Sequence, residues 1–179
     1  MNKRKIVLNL AISLDGYIAD ENWWFEWIVG DWDKILDTSE KMDFGKFLNS
    51  VDTLVMWRKA YEDCPSETMD TFNDKKIFVA THSELKNKSE NVTCINWNLA
   101  EQILEEQKLP WKDIYLWWGA AATDDFIKSN VIDEYIIGII PIILGKWRSL
   151  FLENNPMIKL HLLESTISEW IVILKYEKR

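Results

Sequence analysis

Ile114-Tyr115-Leu116-Trp117-Trp118-Gly119-Ala120, running on through Ala121-Ala122-Thr123-Asp124-Asp125-Phe126-Ile127-Lys128-Ser129 and then Glu134-Tyr135-Ile136-Ile137-Gly138-Ile139-Ile140, decides the fold. Residues 114–117 are bulky and apolar without alternation, as in a strand covered on both faces. Gly119 and Ala120 make a small-residue turn into a helix over 120–129, and 134–140 is a second, more apolar strand that Pro141 ends. A strand, a helix and another strand form the crossover that parallel neighbours require. The pattern extends toward the N-terminus, with strands at 6–12, 53–56, 76–80 and 92–95. Helices are expected over 36–49, where Leu36, Phe44, Phe47 and Leu48 share a face, from 58 to 62, and over 99–108, ended by Pro110. Strands at 159–163 and 171–176 are joined by a connection too short for a crossover, so they pair as an antiparallel hairpin. The expectation is one α/β domain spanning 1–179, its central sheet mostly parallel with a C-terminal antiparallel hairpin.

Composition narrows the functional classes. With 179 residues, 47% hydrophobic and 28% charged, the chain suits a single globular domain. A net charge of −8 argues against a general nucleic-acid binder, whose footprint is basic. Cys64 and Cys94 are too few for a disulfide framework, and His82 and His161 offer no zinc spacing, so no metal is expected. Asn2-Lys3-Arg4-Lys5 before an apolar run has the outline of a signal peptide. Asn9 interrupts that run, however, Asp15-Gly16 ends it, and no small-x-small cleavage site follows. No apolar run approaches a membrane span. A cytoplasmic protein with neither membrane nor nucleic-acid partners is expected.

Eleven tryptophans stand against six glycines, where about 7% glycine is usual. Glu21-Asn22-Trp23-Trp24, Gly30-Asp31-Trp32-Asp33, Asn96-Trp97-Asn98, Gly145-Lys146-Trp147-Arg148 and Ser168-Glu169-Trp170 all place indoles in the polar surround of a tight turn. Turns often need a positive φ that glycine adopts freely and a bulky side chain resists.

Ligands of open α/β sheets bind outside the carboxyl ends of the strands. Three such ends carry suggestive residues: Met56-Trp57-Arg58-Lys59-Ala60-Tyr61, Ala80-Thr81-His82-Ser83 and Trp117-Trp118-Gly119-Ala120. The first supplies two cations, the second hydroxyl donors, and the third a turn small enough for a phosphate to approach backbone N–H groups.

These residues also carry a resemblance. Ser13-Leu14-Asp15-Gly16-Tyr17-Ile18-Ala19, Val55-Met56-Trp57-Arg58-Lys59-Ala60-Tyr61-Glu62, Asp113-Ile114-Tyr115-Leu116-Trp117-Trp118-Gly119-Ala120 and the run from Ile132 through Pro141 to Gly145 occur in that order. Together the chain resembles the dihydrofolate reductase-like family, in the branch related to the reductase domain of bacterial riboflavin biosynthesis, over essentially its whole length. The family's second motif reads Met-Gly-Arg-Lys-Thr-Tyr-Glu and its third a Gly-Gly-Ala turn; here Trp57 and Trp118 stand at the glycines and Ala60 at the threonine. The same comparison puts glycine at Trp23, Trp24, Trp32, Trp97, Trp111, Trp147 and Trp170, while Trp27 and Trp117 match aromatic positions. Some genetic codes read the UGA triplet as glycine and others as tryptophan, so misread codons are the expectation here. The rival is a genuinely tryptophan-rich, inactive relative.

The resemblance implies a three-layer dihydrofolate reductase-like fold, an NADPH cofactor and a small-molecule substrate. By carry-over, Ala11 and Ile18 flank the nicotinamide, and Arg58 and Lys59 meet phosphates. Thr81 and His82 lie near the adenosine-phosphate end, with Trp57 at the strand-to-helix junction and Trp118, Gly119 and Ala120 at the pyrophosphate turn. Asp43 is the position compared with the family's folate-contacting acid, its alternative being a solvated helix carboxylate. Asp15 is expected to fix the loop after the first strand. The implied function is an NADPH-dependent oxidoreductase passing a hydride to a small heterocyclic or ribosylamino-pyrimidine-like substrate. Its rivals are a true dihydrofolate reductase and a non-catalytic nucleotide-binding or interaction protein on the same scaffold. The strand over 135–140 and the hairpin serve either a homodimer, as the resemblance implies, or the core alone.

Overall fold

In the computed structural model, which describes residues 3–19, 25–85, 88–117 and 120–179, eight strands form one sheet. In chain order the elements are β1 (Ile6–Ser13), β2 (Tyr17–Ala19), α1 (Phe44–Ser50), β3 (Val51–Trp57), α2 (Arg58–Glu62), α3 (Ser66–Asp70), β4 (Lys76–Ala80), β5 (Val92–Ile95), α4 (Leu99–Glu106), β6 (Asp113–Trp117), α5 (Ala120–Lys128), β7 (Glu134–Ile140), β8 (Arg148–Ser149), β9 (Leu160–Ser168) and β10 (Ile171–Lys178). The sheet order is β5-β4-β3-β6-β1-β7-β10-β9. Pairings from β5 to β7 are parallel, and β10 runs antiparallel to both β7 and β9. β2 and β8 pair separately.

Period-two alternation within the buried strands builds a layer on each face. On β3, Val55 joins a cluster with Phe78, Ile103 and Phe126, whereas Leu54 and Met56 join Ile77, Val79 and Phe72 on the other side. Helices α4 and α5 supply the first layer, while Phe47 of α1 and Tyr61 of α2 pack on the second. Arg4 ties the bottom of the sheet. It is 3% exposed and donates to the carbonyls of Lys112 and Glu106, to Asp52 and to Thr53 Oγ1.

Two expectations are corrected. The helix over 36–49 is confined to Phe44–Ser50, because Asp37 and Thr38 are engaged elsewhere: Glu169 N–H donates to Asp37 Oδ1 at 2.6 Å and Thr38 N–H to the Ile167 carbonyl at 3.0 Å. The hairpin is longer than expected, since β9 continues to Ser168 and β10 to Lys178. As an edge strand, β9 is exposed along most of its length and shows no alternation to read. Helix α3 and the β2–β8 pair were not expected from the sequence.

The hairpin turn consists of Glu169 and Trp170 alone, with φ of 51° and 67°. Two successive left-handed residues make the turn that normally selects Asn-Gly or Asp-Gly, so Trp170 stands where glycine belongs. Trp32, at φ 66° beside the Asp31 carboxylate that accepts from Asp33 N–H, is a second such case. The positive-φ expectation stops there. Trp57 is extended at φ −82°, and Trp97, Trp111 and Trp147 are outside the left-handed region as well. The indoles of Trp32, Trp97 and Trp111 are nonetheless 83%, 69% and 70% exposed, so most of their apolar surface is unburied. Gly30 is required for close approach: a Cβ there would sit 2.6 Å from Glu169 Cβ, where the 25–43 loop crosses the hairpin turn.

Among the described residues, no helix is long and apolar enough to cross a membrane, and no group of His, Cys, Asp and Glu is arranged to hold a metal ion.

Candidate active site

The carboxyl ends of β1, β3 and β6 open onto an apolar pocket of about 200 Å³. Leu10 forms its floor from β1, Trp57 and Trp117 its walls from β3 and β6, and Ile18 and Phe25 its loop side. Helices α2 and α3 close it with Lys59, Ala60, Asp63, Cys64, Pro65 and Thr68. Trp117 is held in place by edge contact with Phe72, centroids 4.7 Å apart, and by Tyr115. Burial pushes the Cys64 thiol up, which leaves it a protonated, weakly nucleophilic wall group.

A second, more open and polar depression lies at the ends of β4 and β5, lined by Thr81, His82, Ser83, Glu84, Leu85, Lys88, Cys94 and Asn96. Thr81 is buried, its N–H bonded to the Ile95 carbonyl and its hydroxyl to the Ser83 carbonyl at 2.8 Å. His82 Nδ1 lies 2.5 Å from Asn96 Oδ1, and its ring packs against Trp97. Arg58, between the pocket residues Trp57 and Lys59 in the chain, donates through Nη1 to Ser83 Oγ of the polar depression and through Nε to Glu62 at 2.7 Å. Beside it, Lys59 Nζ bonds Asp63 Oδ2 at 2.5 Å.

Ile18, Trp57 and Lys59 thus line the apolar pocket and Thr81 and His82 the polar one, while Arg58 reaches the polar one through Ser83. Ala11 follows pocket-lining Leu10 on β1 and so points to the opposite face, where it sits across from Gly138 of β7. Trp118 and Gly119 lie outside the described residues, as does the side chain of Ala120, whose backbone begins α5. Asp43 is the N-cap of α1, accepting from Lys46 N–H at 2.9 Å, and it faces a third depression shared with Lys5, Phe47 and Glu134. The Lys46 N–H holds its carboxyl below the usual range, the wrong direction for a proton donor near neutrality.

Asp15 fixes the loop after β1, as expected. It accepts from Ser13 Oγ at 2.6 Å, Leu144 N–H at 3.1 Å and Gly145 N–H at 2.7 Å, which clamps residues 144–145 over β2. The sequence reading missed Leu10, Phe25, Asp63, Cys64, Pro65 and Thr68 as pocket residues. Cys64-Pro65-Ser66 carried a usable signal, since a proline after a charged helix breaks it and opens the next.

Comparison with known proteins gives a concordant picture. A family model described as the RibD C-terminal domain matches residues 62–171. The chain is 30% identical to the uncharacterized protein YyaP of Bacillus subtilis (strain 168), over 98% of this chain and 96% of that one. It is 33% identical to the uncharacterized protein YwjB of the same organism, over 89% and 90%. Among solved structures, a putative riboflavin biosynthesis protein from Shewanella sp. PV-4 superposes with a TM-score of 0.75 at 22% identity, covering 98% of this chain and 99% of that one. A diaminohydroxyphosphoribosylaminopyrimidine deaminase/5-amino-6-(5-phosphoribosylamino)uracil reductase from Thermotoga maritima gives 0.69 at 15% identity, over 99% of this chain and 57% of that one.

Proposed function

This chain belongs to the RibD C-terminal domain family, and from that premise we propose that it is a cytoplasmic, homodimeric NADPH-dependent reductase of a small heterocyclic, ribosylamino-pyrimidine-like substrate. The observation that carries the proposal is the pairing of an apolar pocket with a polar depression across the strand ends, with Arg58 following the pocket residue Trp57 and bonded to Ser83 of the depression. The donor set fits such a cofactor: Arg58, Lys88, His82 and the Ser83 hydroxyl suit its phosphates, and the apolar pocket suits its nicotinamide. When bound, NADPH supplies a hydride to an electrophilic C=N or C=O.

The chain's own residues position and dehydrate. Arg58, held by Ser83 and Glu62, and Lys59, held by Asp63, present cations at the β3–α2 junction. Ile18, Phe25 and Trp117 exclude water from the reacting ring, which strengthens every polar contact made there. Asp43 serves as a helix cap, so the proton that balances hydride addition comes from solvent. The Trp57 indole narrows the junction and supports a second reading, a nucleotide-binding protein without turnover.

NADPH oxidation decides between them, measured for the chain and for its Trp57→Gly/Trp118→Gly form. The reductase reading expects turnover by the glycine form with a ribosylaminopyrimidine and none with dihydrofolate. Folded protein that binds NADPH yet turns over nothing favours the second reading. Sedimentation of a monomer at working concentration would overturn the homodimer.

A further inference from the structure

We infer that the side-chain amide of Asn9 reads the edge of the substrate ring, pairing with a ring N–H and the carbonyl next to it. Heterocycles of the lactam type are thereby selected over analogues in which that edge is blocked. The inference rests on the reductase reading and sets the ring beside the apolar pocket, over the neighbouring face of β1.

Asn9 is the polar residue that interrupts the apolar run of β1. In the sheet it lies opposite Ile136 of β7, Ala11 lies opposite Gly138, and on the other side Val7 lies opposite Tyr115 of β6. Period-two alternation therefore puts Asn9 on one face with Ala11, Tyr115, Trp117, Ile136 and Gly138. Asn9 is 9% exposed, and its Nδ2 is sealed from solvent without a hydrogen-bond partner. The nearby phenol is already engaged: Tyr115 donates its hydroxyl to the Asn9 backbone carbonyl at 3.0 Å, and burial pushes its pKa up, which keeps it a neutral donor. A buried donor without a partner is costly, and a β-branched apolar residue would suit this strand better. The amide is accounted for by a partner that arrives with the ligand.

The surroundings say what that partner is. A Cβ at Gly138 would lie 3.7 Å from Ile171 Cγ2 and 3.8 Å from Ala11 Cβ, ordinary contacts, so packing does not demand glycine there. Ala11 and Gly138 thus leave a methyl-sized recess next to Asn9. On its other side, Val7 and Ile136 line the third depression, a groove of about 470 Å³ that Phe47 of α1 also lines. Leu10, the next residue in the chain, and Trp117 line the apolar pocket. Asn9 stands where the groove meets the pocket assigned to the nicotinamide. The five residues sharing its face carry no charge, which suits a neutral ring. An amide presents a donor and an acceptor side by side, the complement of a ring N–H beside a C=O.

The test titrates 5-amino-6-(5-phosphoribosylamino)uracil, the compound in the name of the Thermotoga maritima relative, against its 3-methyl derivative, which blocks the N–H between the two ring carbonyls. Both are added, with oxidised NADP present so that no hydride is transferred, to the Trp57→Gly/Trp118→Gly form and to its Asn9→Leu and Gly138→Ala derivatives. The form with Asn9 is expected to prefer the unmethylated compound by about tenfold or more. Asn9→Leu is expected to lose most of that preference while its urea midpoint stays level or rises, because an unpaired amide has left the interior. Gly138→Ala is expected to fold as well as its parent and to bind the unmethylated compound about fivefold more weakly, the recess being filled. It decides the matter should Asn9→Leu fail to fold. A preference that survives Asn9→Leu, or undiminished binding by Gly138→Ala, overturns the inference and leaves the reductase reading standing. Binding of neither compound by folded protein that takes up NADP overturns the pyrimidine reading, and this inference with it.

Discussion

The guanidinium of Arg58, the first residue of α2, donates through Nη1 to the hydroxyl of Ser83, beyond the end of β4. This bond links the ends of two neighbouring parallel strands and holds a cation beside the polar depression. In the Trp57→Gly/Trp118→Gly form, which is the one expected to bind the cofactor, Arg58→Gln is expected to weaken NADPH binding by about tenfold, in keeping with the 1.5–3 kcal/mol typical of a charge-assisted hydrogen bond. NADH, lacking the extra phosphate, should lose less. Parallel titrations with both cofactors check this, and an unchanged ratio of the two affinities would place Arg58 away from the phosphates.

The tryptophans divide by physical role, and stability measurements separate them. Trp170 and Trp32 hold left-handed backbone, so Trp170→Gly and Trp32→Gly are expected to stabilise the fold by about 1 kcal/mol each. Trp57 is extended and partly buried against the core, so Trp57→Gly is expected to destabilise by about 1–3 kcal/mol while opening the cleft. Urea unfolding reads both signs. The coding explanation adds an expectation for the gene: UGA at most of Trp23, Trp24, Trp32, Trp57, Trp97, Trp111, Trp118, Trp147 and Trp170, with UGG at Trp27 and Trp117. UGG throughout would defeat it.

How much was legible depends on whether local pattern or distant contact set the outcome. β4, β5 and β7 fall where the apolar runs placed them, because a strand covered on both faces needs little beyond its own composition. The short link before Ile171 was enough to give an antiparallel hairpin. The helix over 36–49 was overstated because its first half is held by backbone bonds to Ile167 and Glu169, partners more than a hundred residues away. Arg58, Lys59, Thr81 and His82 were singled out from their strand-end positions, and the structure places them at or beside the two depressions. Phe25, Cys64 and Thr68 were not, since they reach the pocket through a loop and two short helices whose placement is tertiary.

Arg4 is the most heavily bonded buried charge at the sheet's base. Arg4→Met leaves the Asp52 carboxylate without its cation and the Lys112 and Glu106 carbonyls without a donor. A cost of about 3–5 kcal/mol is expected from breaking one side of such a pair. Chemical denaturation measures it, and a loss within about 0.5 kcal/mol, the usual range for surface changes, would contradict the role assigned to Arg4.

Asp15 gives a pH dependence with a definite sign. The Ser13 hydroxyl, with the N–H groups of Gly145 and Leu144, holds its carboxyl below the ordinary range. Its stabilising contribution is therefore complete above about pH 4, the unfolded value, and is lost as pH falls through the lower folded value. Asp15→Asn should be less stable than the parent near neutrality, and the two curves should converge in acid. A gap that stays constant down to the lowest pH at which both remain folded would show that the carboxylate charge plays no part.

The most direct measurement is a cofactor titration of the chain beside its Trp57→Gly/Trp118→Gly form. Phosphate binding at the β3–α2 junction, and at the Trp118-Gly119-Ala120 motif that the family resemblance assigns to the pyrophosphate, calls for close backbone approach, which an indole obstructs. The chain is expected to bind NADPH weakly or not at all. The glycine form is expected to bind it on the order of a hundredfold tighter, equivalent to about 3 kcal/mol, and to prefer it to NADH. Failure of both folded forms to bind NADPH would contradict the reductase account.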